Sequence, residues 1–160
     1  MKTKLYLDTS IPSAYYDTSK PVRQLMTQKW FENDANTYDL YISTLAIKEL
    51  KCIKNIEKLN RIMGLVTDYG LHILELTDEA IALGKEYISK GAIPESEPED
   101  AYHIAIATIN GIAALASWNF KHIVSINPIR KIHEINQKRN YQLIEIGSLE
   151  LFGGAIYGNL

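Results

Sequence analysis

The stretch Leu5-Tyr6-Leu7-Asp8-Thr9-Ser10 decides the fold, because a short apolar run ends there in a carboxylate that two hydroxyl residues follow. The apolar residues are typical of a buried strand, and residues 9–12 are typical of a turn that leaves it. Asp8 is therefore expected at the carboxyl end of the first strand. In open α/β sheets, ligands bind just outside the carboxyl ends of the strands. This position makes Asp8 a candidate for a functional site.

Segments with strand and helix periodicity alternate along the rest of the chain. Strands are predicted at 5–7, 39–43, 71–76, 113–117 and 141–146, and helices at 11–16, 20–33, 45–70 with an interruption at Asn55, 77–91, 97–110 and from 127 onward. Strands that alternate with helices imply a parallel sheet covered on both faces. We therefore expect a three-layer α/β/α fold with a five-stranded, mainly parallel sheet, formed by a single domain over 1–146.

Two local predictions concern the helix at 97–110 and the end of the chain. Ser96 and Glu99 have the spacing of a capping box, and Pro98 suits the first turn of the helix that they would open. That helix is apolar on nearly every side, as is typical of a central buried helix. Residues 147–160 contain four glycines, and we predict an irregular tail there.

Composition excludes several classes of protein. A chain of 160 residues with 17 basic and 19 acidic side chains has a net charge of −2, so overall charge does not indicate a nucleic-acid partner. Cys52 is the single cysteine, which rules out an internal disulfide and is consistent with packing in a reducing compartment. No apolar run approaches the roughly 18 residues of a membrane span. The basic residues 1–4 are not followed by the long apolar region of a secretion signal. We therefore expect a cytoplasmic protein without a membrane partner.

Four polar side chains are predicted to meet at the carboxyl edge of the sheet. Asp8 ends the first strand, and Asn119 follows the fourth. Glu49 lies about one turn into the helix after the second strand, and Asp100 lies in the first turn of the buried helix. Three neighbouring carboxylates would raise one another's pKa values, and a cation removes that repulsion. Oxygen ligands of this kind suit Mg²⁺ or Mn²⁺, which can activate water for phosphodiester hydrolysis.

Each of these residues also has an ordinary structural explanation. Asp8 and Asn119 are common turn residues, and Asp100 in a first helical turn interacts favourably with the helix macrodipole. Glu49 alone is typical of a solvated helix face. Thr9 and Ser10 are typical cap residues. His103 on so apolar a helix is typical of a core histidine or of one that supports a neighbouring site residue.

Together the motifs resemble the PIN domain family, and within it the VapC-type toxins of bacterial toxin–antitoxin pairs. The matching pieces cover residues 4 to about 146 and are Leu5-Tyr6-Leu7-Asp8-Thr9-Ser10, Ser43-Thr44-Leu45-Ala46-Ile47-Lys48-Glu49-Leu50, Pro98-Glu99-Asp100-Ala101-Tyr102-His103-Ile104-Ala105-Ile106-Ala107 and Leu115-Ala116-Ser117-Trp118-Asn119-Phe120-Lys121-His122-Ile123. Each motif alone is weakly specific, whereas their order and spacing together are specific.

The resemblance implies a metal-dependent endoribonuclease that releases a 5′-phosphate and a 3′-hydroxyl. It implies that Asp8, Glu49 and Asp100 bind Mg²⁺ or Mn²⁺. Asn119 stands where many relatives have a fourth aspartate, and it would form a hydrogen bond with metal-bound water. Because asparagine removes one negative charge, the number of bound metals, one or two, is left open. Thr9 or Ser10 would steady a phosphate. An antitoxin would block the acidic cleft, and we also expect a homodimer.

Basic and aromatic residues suggest where RNA could lie. The segments 45–62 and 121–140 each carry five lysines and arginines, and both follow strands whose ends form the predicted cleft. Such residues supply phosphate contacts without sequence preference, although helically spaced cations are equally typical of a solvated face. Among the tyrosines, Tyr15 and Tyr16 are the best candidates for stacking on bases because they follow Asp8 closely.

Other functions are possible for such a chain. The first alternative is a catalytically silent PIN-like module that binds nucleic acid or protein. A phosphatase of the haloacid dehalogenase type would need a second aspartate two residues after Asp8, where Ser10 stands instead. A nucleotide-binding Rossmann module would need a Gly-x-Gly-x-x-Gly stretch after the first strand, and the sequence has none there.

Overall fold

The computed structural model describes residues 1–154, in which strands and helices alternate. The strands are β1 (Thr3–Leu7), β2 (Tyr38–Ser43), β3 (His72–Leu74), β4 (Ala114–Ala116) and β5 (Glu145–Gly147). The α-helices are α1 (Ser10–Ala14), α2 (Pro21–Asn33), α3 (Thr44–Leu50), α4 (Ile56–Asp68), α5 (Asp78–Ser89), α6 (Pro98–Ile109) and α7 (Ile126–Lys138). Short 3-10 helices lie at Ala35–Thr37 and Leu149–Phe152. Within residues 1–154, no helix is both long enough and apolar enough to cross a membrane.

The five strands form one parallel sheet in the order β3-β2-β1-β4-β5. The prediction of a five-stranded α/β/α fold is therefore confirmed. Alternation along β1 divides the interior, because Leu5 and Leu7 belong to one apolar core and Tyr6 belongs to the other. The first core includes Trp30 of α2 and packs against α2 and α4. The second includes residues of α5, α6 and α7, so helices cover both faces.

This topology brings the ends of three central strands to one edge. Asp8 follows β1, which lies in the middle of the sheet. Helix α3 begins directly after β2, with the Ser43 hydroxyl accepting the Ala46 N–H at 3.2 Å as its N-cap. Residues 117–119 follow β4. The elements that carry the predicted polar residues thus converge, as parallel crossovers require.

The predicted capping box before α6 is wrong. Glu97 is the N-cap residue of α6, and no side chain accepts a cap hydrogen bond there. Pro98 is the first helical residue, and its fixed φ suits that position. Ser96 therefore lies one residue too early to cap the helix. The prediction that α6 is a central buried helix is confirmed, since seven of its residues are buried.

The strands β3, β4 and β5 are three residues long, and β5 is shorter than predicted for a definite reason. After α7 the chain turns through Asn140, which has a positive φ of 60°. The Tyr141 N–H then donates to the Asn136 carbonyl at 2.8 Å, closing the end of the helix. This closure places the beginning of the predicted strand in the helix-terminating turn, so pairing with β4 starts at Glu145.

The C-terminal segment differs from the predicted irregular tail in its described part. Gly147 belongs to β5, and Leu149–Phe152 form a 3-10 helix. The Phe152 side chain is buried, and its carbonyl accepts hydrogen bonds from Trp30 Nε1 and Tyr38 Oη, each at 3.1 Å. Tertiary contacts with α2 and β2 thus order this segment despite its glycines. Residues 155–160, the remainder of the predicted tail, lie outside the described residues.

Candidate active site

Asp8 is buried at the carboxyl end of β1 and is held by hydroxyl groups from both sides. Its Oδ1 accepts hydrogen bonds from the Ser10 N–H at 3.0 Å and from Ser10 Oγ. Its Oδ2 accepts one from Ser117 Oγ. Burial raises the pKa of Asp8, and the nearby His103 and these hydrogen bonds offset only part of that effect. The carboxyl group therefore has a fixed orientation in a setting where a bound cation would stabilise its charged form.

Asp100, in the first turn of α6, is bonded to the turn that follows β4. Its Oδ2 accepts a hydrogen bond from Asn119 Nδ2 at 3.1 Å and lies 3.2 Å from His122 Nδ1. Asn119 in turn accepts the His122 N–H at 3.0 Å through its Oδ1. Burial, followed by repulsion from Asp8, raises the pKa of Asp100 to about 6. Asp8 and Asp100 are thus close enough to oppose each other's ionisation.

Glu49 reaches the same edge from α3 and has a different environment. Its Oε1 lies 2.7 Å from His103 Nε2 and accepts the Thr9 hydroxyl at 3.0 Å. Burial acts to raise the pKa of Glu49, but the hydrogen bonds and the charge interaction with His103 outweigh it, so the pKa is lowered. With its side chain 34% exposed, Glu49 is an ionised carboxylate at the mouth of the site.

His103 connects Glu49 to the interior of the sheet. Its side chain is 3% exposed, and its Nδ1 lies 2.7 Å from Tyr6 Oη, which is itself 2.7 Å from Ser43 Oγ. The expectation of a core or supporting histidine is therefore met, and its contact with Glu49 shows which residue it supports. The Thr9 and Ser10 hydroxyls donate to the acidic residues here, and their expected contact with a phosphate stays a prediction.

Among the four sequence-predicted residues, Asp100 and Asn119 bond directly to each other, whereas Asp8 and Glu49 are held by other side chains. The Ser117 hydroxyl links Asp8 to the bonded pair, since it donates to Asp8 and accepts the Asn119 N–H at 2.9 Å. Within residues 1–154, the one group of three potential metal ligands whose atoms all lie within 4.8 Å of one another is Glu97, Asp100 and His122. Asp8 and Glu49 flank this group without joining it at that distance.

The residues present fit a divalent cation. Among the described residues, no hydrogen bond occupies Asp100 Oδ1 or Glu49 Oε2, which leaves a carboxylate oxygen available on each side. Burial raises the pKa of both Asp8 and Asp100, and repulsion from Asp8 raises that of Asp100 further, so a cation would stabilise the charged form of each. Carboxylate oxygens suit Mg²⁺ and Mn²⁺, and the imidazole of His122 adds a nitrogen that favours Mn²⁺.

Sequence reasoning missed three residues of this site, namely Glu97, Ser117 and His122. Glu97 precedes Asp100 by three residues, and His122 follows Asn119 by three, so helical-turn spacing around the predicted residues could have identified both. Ser117 ends the apolar run of β4 as Asp8 ends that of β1. That parallel position was the available signal.

Tyr15 and Tyr16 pack partly against the first core, and their stacking on bases stays a prediction. Both are half-buried against the first core, and the Tyr15 ring meets Phe31 edge-on at a centroid distance of 5.7 Å. Tyr16 also lines a surface cavity together with Lys58 and Arg61 of α4.

Comparisons with known proteins support the fold. No protein-family model matches the sequence, and no curated protein matches it either. Among solved structures, the chain is similar to Mycobacterium tuberculosis VapC20, a toxin that cleaves the sarcin-ricin loop, with a TM-score of 0.59 and 12% identity over 74% of this chain and 92% of that one. It is also similar to Rickettsia felis VapBC2 bound to promoter DNA, with a TM-score of 0.53 and 12% identity over 90% and 98%. The chain therefore has the PIN-like α/β/α fold of VapC toxins.

Proposed function

We propose that this chain is a divalent-metal-dependent endoribonuclease. The observation that carries the proposal is the pair Asp8 and Asp100, a buried and a partly buried carboxyl group with raised pKa values at the carboxyl edge of a PIN-like sheet. Hydrogen bonds from Ser117 and Asn119 orient them toward one site. Such an arrangement opposes its own charge, which makes it poor as a structural feature and suitable as a cation site.

Asp8, Asp100 and Glu49 would hold Mg²⁺ or Mn²⁺, with His122 and Glu97 beside Asp100. When bound, such an ion supplies a water of lowered pKa and neutralises charge on the phosphate. Ser10 and Ser117 keep both oxygens of Asp8 in place, and Asn119 does so for Asp100. Glu49, ionised by its contacts with His103 and Thr9, orients the attacking water by accepting its hydrogen bond. The scissile phosphate enters from the exposed side of Glu49.

The biological role that we propose is the toxin of a toxin–antitoxin pair acting in the cytoplasm. The support is the fold shared with VapC20, a toxin, and with VapC of the VapBC2 complex. An antitoxin segment would cover the acidic edge and keep RNA from Asp8, Glu49 and Asp100. The chain would act as a homodimer, as the family resemblance suggests.

A catalytically silent binding module is the second candidate. The specific observation that favours it is Asp8, whose two oxygens are both engaged by serine hydroxyls of the chain. Under this alternative the hydroxyls replace a metal ion instead of orienting its ligand.

The deciding experiment incubates total RNA with purified protein in Mg²⁺, Mn²⁺ or EDTA, followed by mapping of the new ends. We expect cleavage with either metal, none with EDTA, and none with Asp100→Asn. Asp78→Asn is the matched control, because Asp78 is also in a first helical turn but is exposed and follows β3, an outer strand of the sheet. New ends should carry a 5′-phosphate and a 3′-hydroxyl. Equal cleavage by wild type and Asp100→Asn, or in EDTA, would reject the proposal.

A further inference from the structure

An apolar pocket lies beside the candidate site, between the start of α2 and the turn after β4. It has a volume of about 330 Å³. We call it the aromatic pocket, and its lining includes Lys20, Arg23, Met26, Trp118, Phe120 and Glu150. Its interior is apolar, whereas two cations and one carboxylate lie among its lining residues. A cavity with this division of chemistry accommodates a flat apolar group attached to a charged chain.

Arg23 lies over two aromatic rings in the aromatic pocket. The Arg23 guanidinium carbon lies 5.4 Å from the centroid of the Trp118 ring and 5.7 Å from that of Phe120. The two rings are 6.1 Å apart and tilted by 56°. Trp118 is buried, but 48% of Phe120 is exposed. An exposed ring beside a stacked guanidinium offers flat surfaces that lose little entropy on binding.

The aromatic pocket is rigidly connected to the candidate site through the backbone of Trp118. This residue stands between Ser117, which bonds Asp8, and Asn119, which bonds Asp100. The Trp118 N–H donates to Ser10 Oγ at 2.8 Å, and its indole Nε1 donates to Thr27 Oγ1 at 2.9 Å. The Trp118 ring, with Phe120 beside it, therefore holds a fixed position relative to the carboxylates, as a subsite for part of the same substrate requires.

We propose that the aromatic pocket binds a nucleobase of single-stranded RNA next to the scissile phosphate. The proposal rests on the ribonuclease function above. A base stacks on Phe120 and the exposed face of Arg23, because every base has a π-face that such a platform accepts. Lys20 lies in the lining of the pocket and Lys121 follows Phe120 in sequence, and both are exposed. These two lysines contact the flanking phosphates. These cations favour RNA over an apolar protein segment, which would leave them unpaired.

Binding of a short uridine-rich RNA oligonucleotide tests the stacking contact directly. Fluorescence anisotropy in EDTA and low salt measures affinity without cleavage. We expect Phe120→Ala to weaken binding about fivefold or more, since removing one stacking ring has effects of that size. Phe120→Trp should retain the affinity because it keeps a ring. Leu143→Ala, an exposed apolar residue before β5 at the opposite edge, should leave affinity unchanged.

A photochemical cross-link identifies the contact by position. The same oligonucleotide carrying 5-iodouridine should cross-link to the peptide containing Trp118 and Phe120, and the cross-link should be lost in Phe120→Ala. Arg23→Ala should weaken binding and reduce its salt dependence, whereas Arg139→Ala should not. Arg139 is the matched control because it pairs with Glu86 at the end of α7.

The outcomes separate this proposal from the proposed function. If wild type cleaves RNA but Phe120→Ala binds it with unchanged affinity and no cross-link maps to the pocket, the subsite is rejected and the nuclease function stands. If the cross-link maps to Phe120 but wild type does not cleave, the subsite stands without the nuclease. Loss of binding to a co-expressed antitoxin in Phe120→Ala, with unchanged RNA affinity, would assign the pocket to protein and overturn the proposal.

Discussion

His103 Nε2 lies 2.7 Å from Glu49 Oε1, although the two residues are 54 positions apart in the chain. The imidazole is almost completely buried, while the carboxylate is partly exposed. The other imidazole nitrogen, Nδ1, contacts Tyr6 Oη in the middle of the sheet. A rigid interior group thus orients the acidic residue with the greatest access to solvent, in the way that buried partners orient ligands of metal sites.

Replacement of His103 should therefore impair catalysis through Glu49. We expect His103→Ala to lower kcat by about 10- to 100-fold, the usual effect of removing such a supporting contact. His103→Gln, which can still donate to Glu49, should recover part of the activity. His133→Ala is the control and should leave kcat unchanged, because His133 lies on α7 and bonds to the Ile144 carbonyl instead of to a site residue. If kcat in His103→Ala fell only in proportion to the folded fraction seen by circular dichroism, the positioning role would be wrong.

Asp100 predicts the pH dependence of stability in the metal-free protein. Its pKa rises from the usual value near 4 to about 6 on folding, because of burial and then repulsion from Asp8. Between these values the folded state holds a proton that the unfolded state has lost, so the free energy of unfolding falls as pH rises through this window. Above about pH 6 the full destabilisation is present.

Asp100→Asn removes this titration. After allowance for solvent screening, the free energy of unfolding of Asp100→Asn should exceed that of wild type by about 1 kcal/mol at pH 7. This difference should disappear by pH 4. Urea unfolding in EDTA at several pH values measures the difference, with Asp78→Asn as control. Mg²⁺ should then stabilise wild type but not Asp100→Asn. A difference between wild type and Asp100→Asn that is independent of pH would contradict this account.

His122 predicts a preference between metals. Its imidazole is the nitrogen in the group formed with Glu97 and Asp100, and nitrogen ligands suit Mn²⁺ better than Mg²⁺. We expect His122→Ala to weaken Mn²⁺ binding about tenfold and Mg²⁺ binding much less. Isothermal titration of the protein with each metal gives both values without an activity assay. His72→Ala, an exposed histidine on β3, should change neither, and an equal loss for both metals would refute a nitrogen ligand.

Phe152 predicts that the C-terminal segment contributes to stability. Phe152→Ala removes a buried ring that packs edge-on against Tyr38 and should lower the free energy of unfolding by about 3 kcal/mol. Leu151→Ala, its neighbour at 59% exposure, should change the free energy by less than about 0.5 kcal/mol. Chemical denaturation of the two variants measures the contrast. Equal effects would mean that the segment does not pack as described.

Much of the fold could be predicted because its signals are local. Apolar runs placed the five strands, and the buried character of α6 followed from its composition alone. The errors arose where distant residues decide the outcome, as at Phe152, which is held by Trp30 and Tyr38 more than a hundred positions away. Ser96 is not the cap because α6 begins at Pro98, which makes Glu97 the N-cap residue.

By itself the sequence determined that strands alternate with helices, and hence that Asp8, Glu49, Asp100 and Asn119 reach one edge of a parallel sheet. Spacing along the chain suffices for this, because each strand directs the residue after it to the same edge. Only the tertiary structure decided which side chains bond there, such as Ser117 with Asp8 and His103 with Glu49. These pairings depend on strand order, helix rotation and burial, which sum over contacts between residues far apart in the chain and leave no periodic signal in any one segment.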